Sequence, residues 1–216
     1  AQEKKRIFVD NGAGSSALTN EQCSPYTVHY AFDTVALAKG TGKAVVEAGG
    51  KSWFFLTADY AFGHALEADT SKIVNANGGK VLGAVKTPLN ASDFSSFMLQ
   101  AQNSKAQILG LANAGGDTVN SIKAAKEFGI TSNMKLAGLL VFFSDIHSLG
   151  VKNTEGMQFT APWYWDMNAE SRAFADKFMA KTKRRPSEIQ AADYSATMPK
   201  HHPNISTSCP IPDQKY

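Results

Sequence analysis

Between residues 51 and 161 the chain repeats one pattern: a short apolar run, a turn, then an amphipathic stretch long enough to cross over. Residues 51–57 (Lys-Ser-Trp-Phe-Phe-Leu-Thr) read as a strand bounded by Gly49-Gly50. Helical spacing follows over 61–76, with Phe62, Leu66, Ile73 and Val74 toward one face and Gly78-Gly79 as the stop. Residues 80–85 are the next strand. Ser92 stands where it would cap a helix running to about residue 103, with Phe94, Phe97, Met98 and Leu99 near the core. Residues 107–112 form a third strand; its helix runs from an N-capping Asp117 to Phe128, with Gly129 ending it. Strands at 136–141 and 157–161 and a long amphipathic helix over 170–181 complete the series, and an earlier helix spans 34–48. This alternation predicts an α/β fold: a parallel sheet with helices on both faces, holding the strands that end at Leu56, Val85, Ala112 and Val141. Ligands of such folds sit at the carboxyl ends of the strands. The loops 10–16, 58–63, 113–117, 142–145 and 162–166 are therefore the candidate site.

Composition narrows the function classes. A chain of 216 residues, 43% hydrophobic and 19% charged, can bury a real core and is not a disordered sequence. A net charge of +3, dispersed along the chain, gives no nucleic-acid footprint. No apolar run approaches the ~18–20 residues needed to span a bilayer; residues 136–143 read as a buried strand. No secretory leader pattern opens the sequence, so an exported protein would be represented here by its mature chain. Cys23 and Cys209 lie far apart and outside any C-x-x-C pattern, which argues against a metal or redox site. Either they pair in an oxidising compartment, or each has a partner in a longer parent.

Gly12-Ala-Gly-Ser-Ser-Ala17 fits G-x-G-x-x-[GA] and follows residues 6–9, an apolar run that reads as a buried strand. A dinucleotide site would need a helix packed on that strand and an acid closing the second strand roughly 20 residues on. Pro25 interrupts the segment, and Asp33 precedes a helix instead of ending a strand. Two uses remain for the turn: converging backbone N–H groups, with the Ser15 and Ser16 hydroxyls, to hold an anion such as a carboxylate, or a plain glycine turn.

The run Asn11-Gly-Ala-Gly-Ser-Ser-Ala-Leu-Thr19, then Cys23-Ser-Pro25 and Thr27-Val-His29, resembles the end of the first lobe of type I periplasmic solute-binding proteins, and among them the branched-chain amino-acid-binding proteins of ABC transporters. Phe55-Leu-Thr-Ala-Asp-Tyr-Ala-Phe-Gly-His-Ala-Leu-Glu67 resembles the start of the second lobe, as do Asp93-Phe-Ser-Ser-Phe97, Leu111-Ala-Asn-Ala-Gly-Gly-Asp117 and Lys126-Glu-Phe-Gly129. The resemblance covers about residues 4–198. It implies a two-lobed clamp, periplasmic or tethered outside the cell, that captures a solute in an interlobe cleft and hands it to a membrane permease, with no catalysis, cofactor or metal. It also implies a domain plan: 1–30 a remnant of lobe 1, 31–165 lobe 2, 166–198 the helices returning to lobe 1, and 199–216 an irregular tail after Pro199, as from a truncated or frame-shifted gene. A chain that carries so little of lobe 1 is expected to bind solute weakly and to self-associate.

The resemblance places Ser15 and Ser16 as donors to the ligand carboxylate. It places Asp59, Tyr60 and Phe62 where an aromatic packs on the ligand side chain, although Phe62 equally fits the core face of its helix. Asn113, Ala114 and Gly115 lie on the next loop. Amino-acid-binding relatives put a carboxylate after the fourth strand to hold an ammonium; the stretch here is apolar (Leu139-Leu140-Val141), and among Phe142, Phe143 and Asp145 the last is the nearest substitute. Trp163, Tyr164 and Trp165 either line a pocket or pack a hinge. His64 and His147 lack partners at metal spacing, and neither a G-x-S-x-G elbow, H-E-x-x-H nor a P-loop occurs. The expected function is a solute-binding protein for a small organic carboxylate with an apolar or aromatic side chain, branched-chain amino acids being second. A ligand-sensing receptor domain of the same fold and a Rossmann-like nucleotide-dependent enzyme are the alternatives.

Overall fold

The structure, a computed structural model, describes residues 1–198; the irregular tail expected from residue 199, with Cys209 and His201-His202, lies outside the described residues. The chain divides into two compact units: Thr34–Ala161, and Ala1–Asp33 together with the chain from Pro162 onward.

The first and last segments share a unit with little sheet. Strands β1 (Phe8–Asp10) and β2 (Thr27–His29) pair in parallel. The strand expected to be buried over 6–9 is instead short and open: Ile7 is 77% and Phe8 49% exposed. A two-stranded ribbon has no second layer of its own to cover such side chains. Cys23 is disulfide-bonded.

The Thr34–Ala161 unit carries the sheet. Its entry helix, expected as one piece over 34–48, is α1 (Thr34–Leu37), a π-turn (Ala38–Gly42) and α2 (Lys43–Glu47). Then follow β3 (Ser52–Ala58), α3 (Ala61–Ala76), β4 (Lys80–Thr87), α4 (Ser95–Asn103), β5 (Ile108–Ala112), α5 (Gly115–Glu127), β6 (Lys135–Gly138), α6 (Phe143–Leu149), α7 (Val151–Thr154) and β7 (Gln158–Phe159). The strands form one sheet in the order β4-β3-β5-β6-β7, every pairing parallel. The expected α/β class and its single parallel sheet are therefore present.

Position in the sheet explains the residue patterns. β3 and β5 are covered on both faces, so Trp53–Ala58 and Ile108–Ala112 are buried without alternation. The edge strand β4 alternates exposed with half-buried residues. On one face Phe54, Leu56, Leu109, Leu111 and Leu136 pack with Phe94 and Met98 of the α4 segment and Ile122 and Ala125 of α5. On the other, α3 packs against β3 and β4 and against α1 and the π-turn. The buried Trp53 indole donates to the Gly50 carbonyl at 2.8 Å, so its polar atom carries no desolvation debt. Gly129, at φ 68°, closes α5 in the left-handed conformation that its sequence position forecast.

Several local expectations are corrected. Ser92 does not cap α4: the N-cap is Phe94, which makes no side-chain capping bond, and the Asp93 carboxylate just before it accepts the Ser95 N–H at 2.8 Å. Leu99 is 51% exposed because Phe94, Met98 and Ala101 already occupy the inner stripe of that helix. β6 stops at Gly138 and leaves residues 139–141 buried outside the ladder. Residues 142–145, read as a loop, instead open α6: Phe142 is its N-cap, and the Asp145 carboxylate in the first turn accepts the Phe142 N–H at 3.0 Å. Past Pro162 the chain forms α8 (Ala169–Thr182) and α9 (Glu188–Ala196), the latter opened by a Ser187/Gln190 capping box.

Candidate functional site

The carboxyl edge of the sheet gathers the loops after β3, β4, β5 and β6. The α3 helix rises directly from β3. Gly63 in its first turn makes this possible: a Cβ there would run into the Ala58 carbonyl and lie 3.1 Å from that of Ala112. Tyr60 and Ala114 are the N-cap residues of α3 and α5, both extended, and neither makes a side-chain capping bond. Two neighbouring helix starts thus offer first-turn N–H groups at this edge without an N-cap side chain to accept from them. Gly115 takes φ 58°, and a Cβ at Gly115 or Gly116 would meet nothing within 4 Å, so the α5 start faces open space.

The candidate side chains divide by what they already hold. Asp59 accepts from or pairs with His64 Nε2 at 2.7 Å on the surface. The Tyr60 ring is 37% exposed and sits 5.9 Å from Phe62, centroid to centroid; partial burial, aided by the negative charge of Asp117, raises its pKa. Phe62 is buried on the inner face of α3. Asn113 is fully buried, its amide donating to the Ser121 hydroxyl at 2.9 Å and its oxygen accepting from Thr118 at 2.8 Å, so it clips the loop to α5. Asp145 accepts the Phe142 N–H at 3.0 Å; burial pushes its carboxyl up, against the pull of that bond. Phe142 is half-buried beside it, and Phe143 packs edge-on against Phe159 at 5.4 Å.

In the other unit the glycine turn holds an anion, but an internal one: Asp10 Oδ1 accepts the N–H groups of Gly12 at 3.0 Å and Ala13 at 2.9 Å. Ser15 is the N-cap of a 3-10 turn that begins at Ser16, its hydroxyl accepting from Ala17. Trp163 donates to the Ser171 hydroxyl at 2.9 Å and stacks edge-on against Phe174. It also lines, with Tyr30, Phe174 and Tyr194, a cavity of about 580 Å³ within this unit. Trp165 lies under the Arg185 guanidinium, 4.1 Å away.

Asp117 was read as the N-cap of α5. It lies instead in the first turn of that helix, 6% exposed, and its Oδ2 accepts the Asn90 N–H from the loop after β4 at 3.3 Å. Its partner stands 27 residues away in the chain, and no local spacing announces it. Among the described residues, no cluster of His, Cys, Asp and Glu could hold a metal ion, and no helix is long and apolar enough to cross a membrane.

The parallel sheet with helices on both faces matches the lobe of type I periplasmic binding proteins. The chain belongs to the periplasmic binding protein family, whose profile matches residues 1–199. It is similar to a periplasmic binding protein from Burkholderia mallei, at 67% identity and a TM-score of 0.89, covering 91% of this chain and 52% of that one. A solute-binding protein of an ABC transporter from Rhodopseudomonas palustris HaA2, solved in complex with p-hydroxybenzoic acid, is 27% identical with a TM-score of 0.80 over 89% of this chain and 54% of its own. The Leu/Ile/Val-binding protein homolog 6 of Brucella melitensis is 29% identical over 148 residues, 67% of this chain and 37% of the relative. The chain thus spans about half the length of these solved relatives or less of the curated one.

Proposed function

We propose that this chain is the extracytoplasmic solute-binding component of an ABC importer and captures a small organic carboxylate: an apolar or aromatic acid, or a branched-chain amino acid. The observation that carries the reading is the pair of helix starts at Tyr60 and Ala114, which offer backbone N–H groups beside exposed aromatic surface. A carboxylate suits such an edge on both charge and hydrogen bonding. The family membership fits the same chemistry, as does the p-hydroxybenzoic acid bound by the Rhodopseudomonas palustris relative. Tyr60, Phe62, Ala114, Gly115 and Phe142 are the proposed contacts at the sheet edge, with Asp59, Asn113 and Asp145 setting their loops. Ser15, Ser16 and Trp163 stay proposed contacts on family grounds. The partner is an ABC permease, and the role is carriage without catalysis.

A thermal-shift panel of leucine, benzoate and 4-hydroxybenzoate, each beside its amide, tests this reading. The acids raise the melting temperature and the amides do not. Equal shifts from acids and amides, or none from any acid, would reject it.

A further inference from the structure

We infer that the carboxyl-terminal half of α8, together with the turn at 164–167 beside it, is a surface that lies on a bilayer carrying anionic headgroups. This goes beyond the solute-binding reading and does not depend on it.

The first observation is charge. Residues 176–185 (Asp-Lys-Phe-Met-Ala-Lys-Thr-Lys-Arg-Arg) hold five cations against one acid, whereas the whole chain has a net charge of only +3. Ser171 and Ala175 are the buried residues of α8, which leaves Lys177 and Lys181, about one turn apart, on its outer face. Lys183 ends the helix in the left-handed conformation, at φ 60°, and Arg184 follows; both are exposed. Among the described residues, none of these four cations is in an ion pair. Two acids of this region are already taken: Asp176 pairs with Arg185 at 2.8 Å and Asp166 with Arg172 at 3.0 Å. The partial negative charge of a helix end accounts for a cation in the last turn, such as Lys181. It does not account for three more around it, because like charges at this spacing repel one another. An anionic surface relieves that repulsion.

The second observation is apolar. Arg185 reaches back along α8 to Asp176, and its guanidinium lies 4.1 Å over the Trp165 ring. That contact ties the turn at 164–167 to the cationic half of the helix, and the Met167 N–H closes the turn on the Tyr164 carbonyl at 3.2 Å. The side chains of Tyr164 and Met167 are exposed there. An aromatic ring with a polar tip and a flexible thioether, rimmed by lysine and arginine, suit the boundary between headgroups and acyl chains. The apolar ends enter it, and the long cationic side chains stay level with the phosphates. An open helix face and a short turn offer little shape for a folded protein or a small ligand to fit, whereas a fluid surface needs none.

The test is flotation of the full chain with vesicles of phosphatidylcholine alone and of phosphatidylcholine with about 30% phosphatidylglycerol, at about 0.05 M and about 0.5 M salt. Three variants accompany the native protein: K181E/K183E/R184E, Y164S/M167S, and K4E/K5E/R6E, which makes the same change of net charge at another exposed trio. Circular dichroism checks that each folds, and K181Q/K183Q/R184Q replaces a charge reversal that does not. The native chain floats with the anionic vesicles only, and about 10-fold less tightly at the higher salt. K181E/K183E/R184E weakens this binding about 100-fold, K4E/K5E/R6E no more than about 10-fold, and Y164S/M167S at least about 5-fold. A native chain that ignores anionic vesicles, or floats equally with neutral ones, overturns the inference without any variant. Equal losses from the two charge-reversed trios also overturn it, since the attraction then follows net charge alone. So does unchanged binding by Y164S/M167S, which would leave nothing entering the bilayer. Displacement of the vesicles by a short DNA duplex at equal phosphate concentration overturns it too, because the partner would then be a polyanion of another kind. None of these results touches the solute-binding reading.

Discussion

The two units of this chain solve the same problem with unequal means. Thr34–Ala161 holds a five-stranded sheet sheathed on both faces, and its largest side chains, Trp53, Phe55, Leu56 and Leu111 among them, are removed from water. The other unit has a two-stranded ribbon, exposes Ile7 and Phe8, and relies on hydrogen bonds among surface groups, such as Tyr30 to Ser195 at 2.7 Å and Asn11 to Asp193 at 2.8 Å. Apolar burial supplies most of the driving force for folding, whereas exposed polar contacts contribute little. Stability should therefore be concentrated in one unit.

The largest expected effect comes from separating them. Residues 34–161 expressed alone should melt cooperatively, with native-like far-UV circular dichroism, whereas residues 1–33 joined to 162–198 should not. A cooperative melt from the second polypeptide would break the comparison. Next is a matched pair of truncations. Leu111→Ala, fully buried, should cost about 2–5 kcal/mol in denaturant unfolding. Ile7→Ala, 77% exposed, should stay within about 0.5 kcal/mol. Similar losses at the two positions would mean that Ile7 is covered in solution. Gly63→Ala should cost about 1–3 kcal/mol, since the new methyl must displace the Ala58 carbonyl; an unchanged unfolding midpoint would show that the α3 start can shift freely.

The smallest effect is a pH dependence. Burial raises the folded pKa of Asp145 above its unfolded value. Such a carboxyl contributes stability while protonated; the contribution is complete below the unfolded pKa and is lost as pH rises through the folded one. D145N, whose side-chain oxygen still accepts the Phe142 N–H, should therefore melt about 1–2 °C above the native chain at neutral pH. At acid pH, where the native carboxyl is already neutral, the gain should vanish. Asp93 works in the opposite sense: its bonds to the Ser95 hydroxyl and N–H lower its pKa, so its help to α4 is present above the unfolded pKa and fades as pH falls through the folded one. A D145N gain that persists in acid would separate the effect from titration.

What could be read in the residues is what repeats along them. The buried runs of β3 and β5 and the 3.6-residue period of α3 are set by local composition, and the bounds of α3 fall on the expected residues 61–76. Which loops gather at the carboxyl edge was legible too, because parallel strands all end on the same side of their sheet. The commitments of single side chains were not. Asp10 turns back onto Gly12 and Ala13, Asn113 clips Thr118 and Ser121, and Asp145 closes the first turn of its own helix. Each of these looks like a free polar group in the sequence, and only the backbone path shows it occupied. Asp117 is the converse: its apparent capping position concealed an acid whose side-chain bond, among the described residues, comes from a distant loop.

The strand order β4-β3-β5-β6-β7 has a consequence for how the chain is made. β3 pairs with β4 and β5, both later in the chain, and β5 is not complete until Ala112. During synthesis from the amino end, Ser-Trp-Phe-Phe-Leu-Thr-Ala must therefore wait through more than fifty residues with at least one edge unpaired. That segment has no charge, no proline and high β-propensity, the makeup of a sequence that pairs with copies of itself. This central, buried strand of the finished protein is, on the nascent chain, an aggregation hazard, and yield should depend more on how fast β4 and β5 arrive than on the stability of the final sheet.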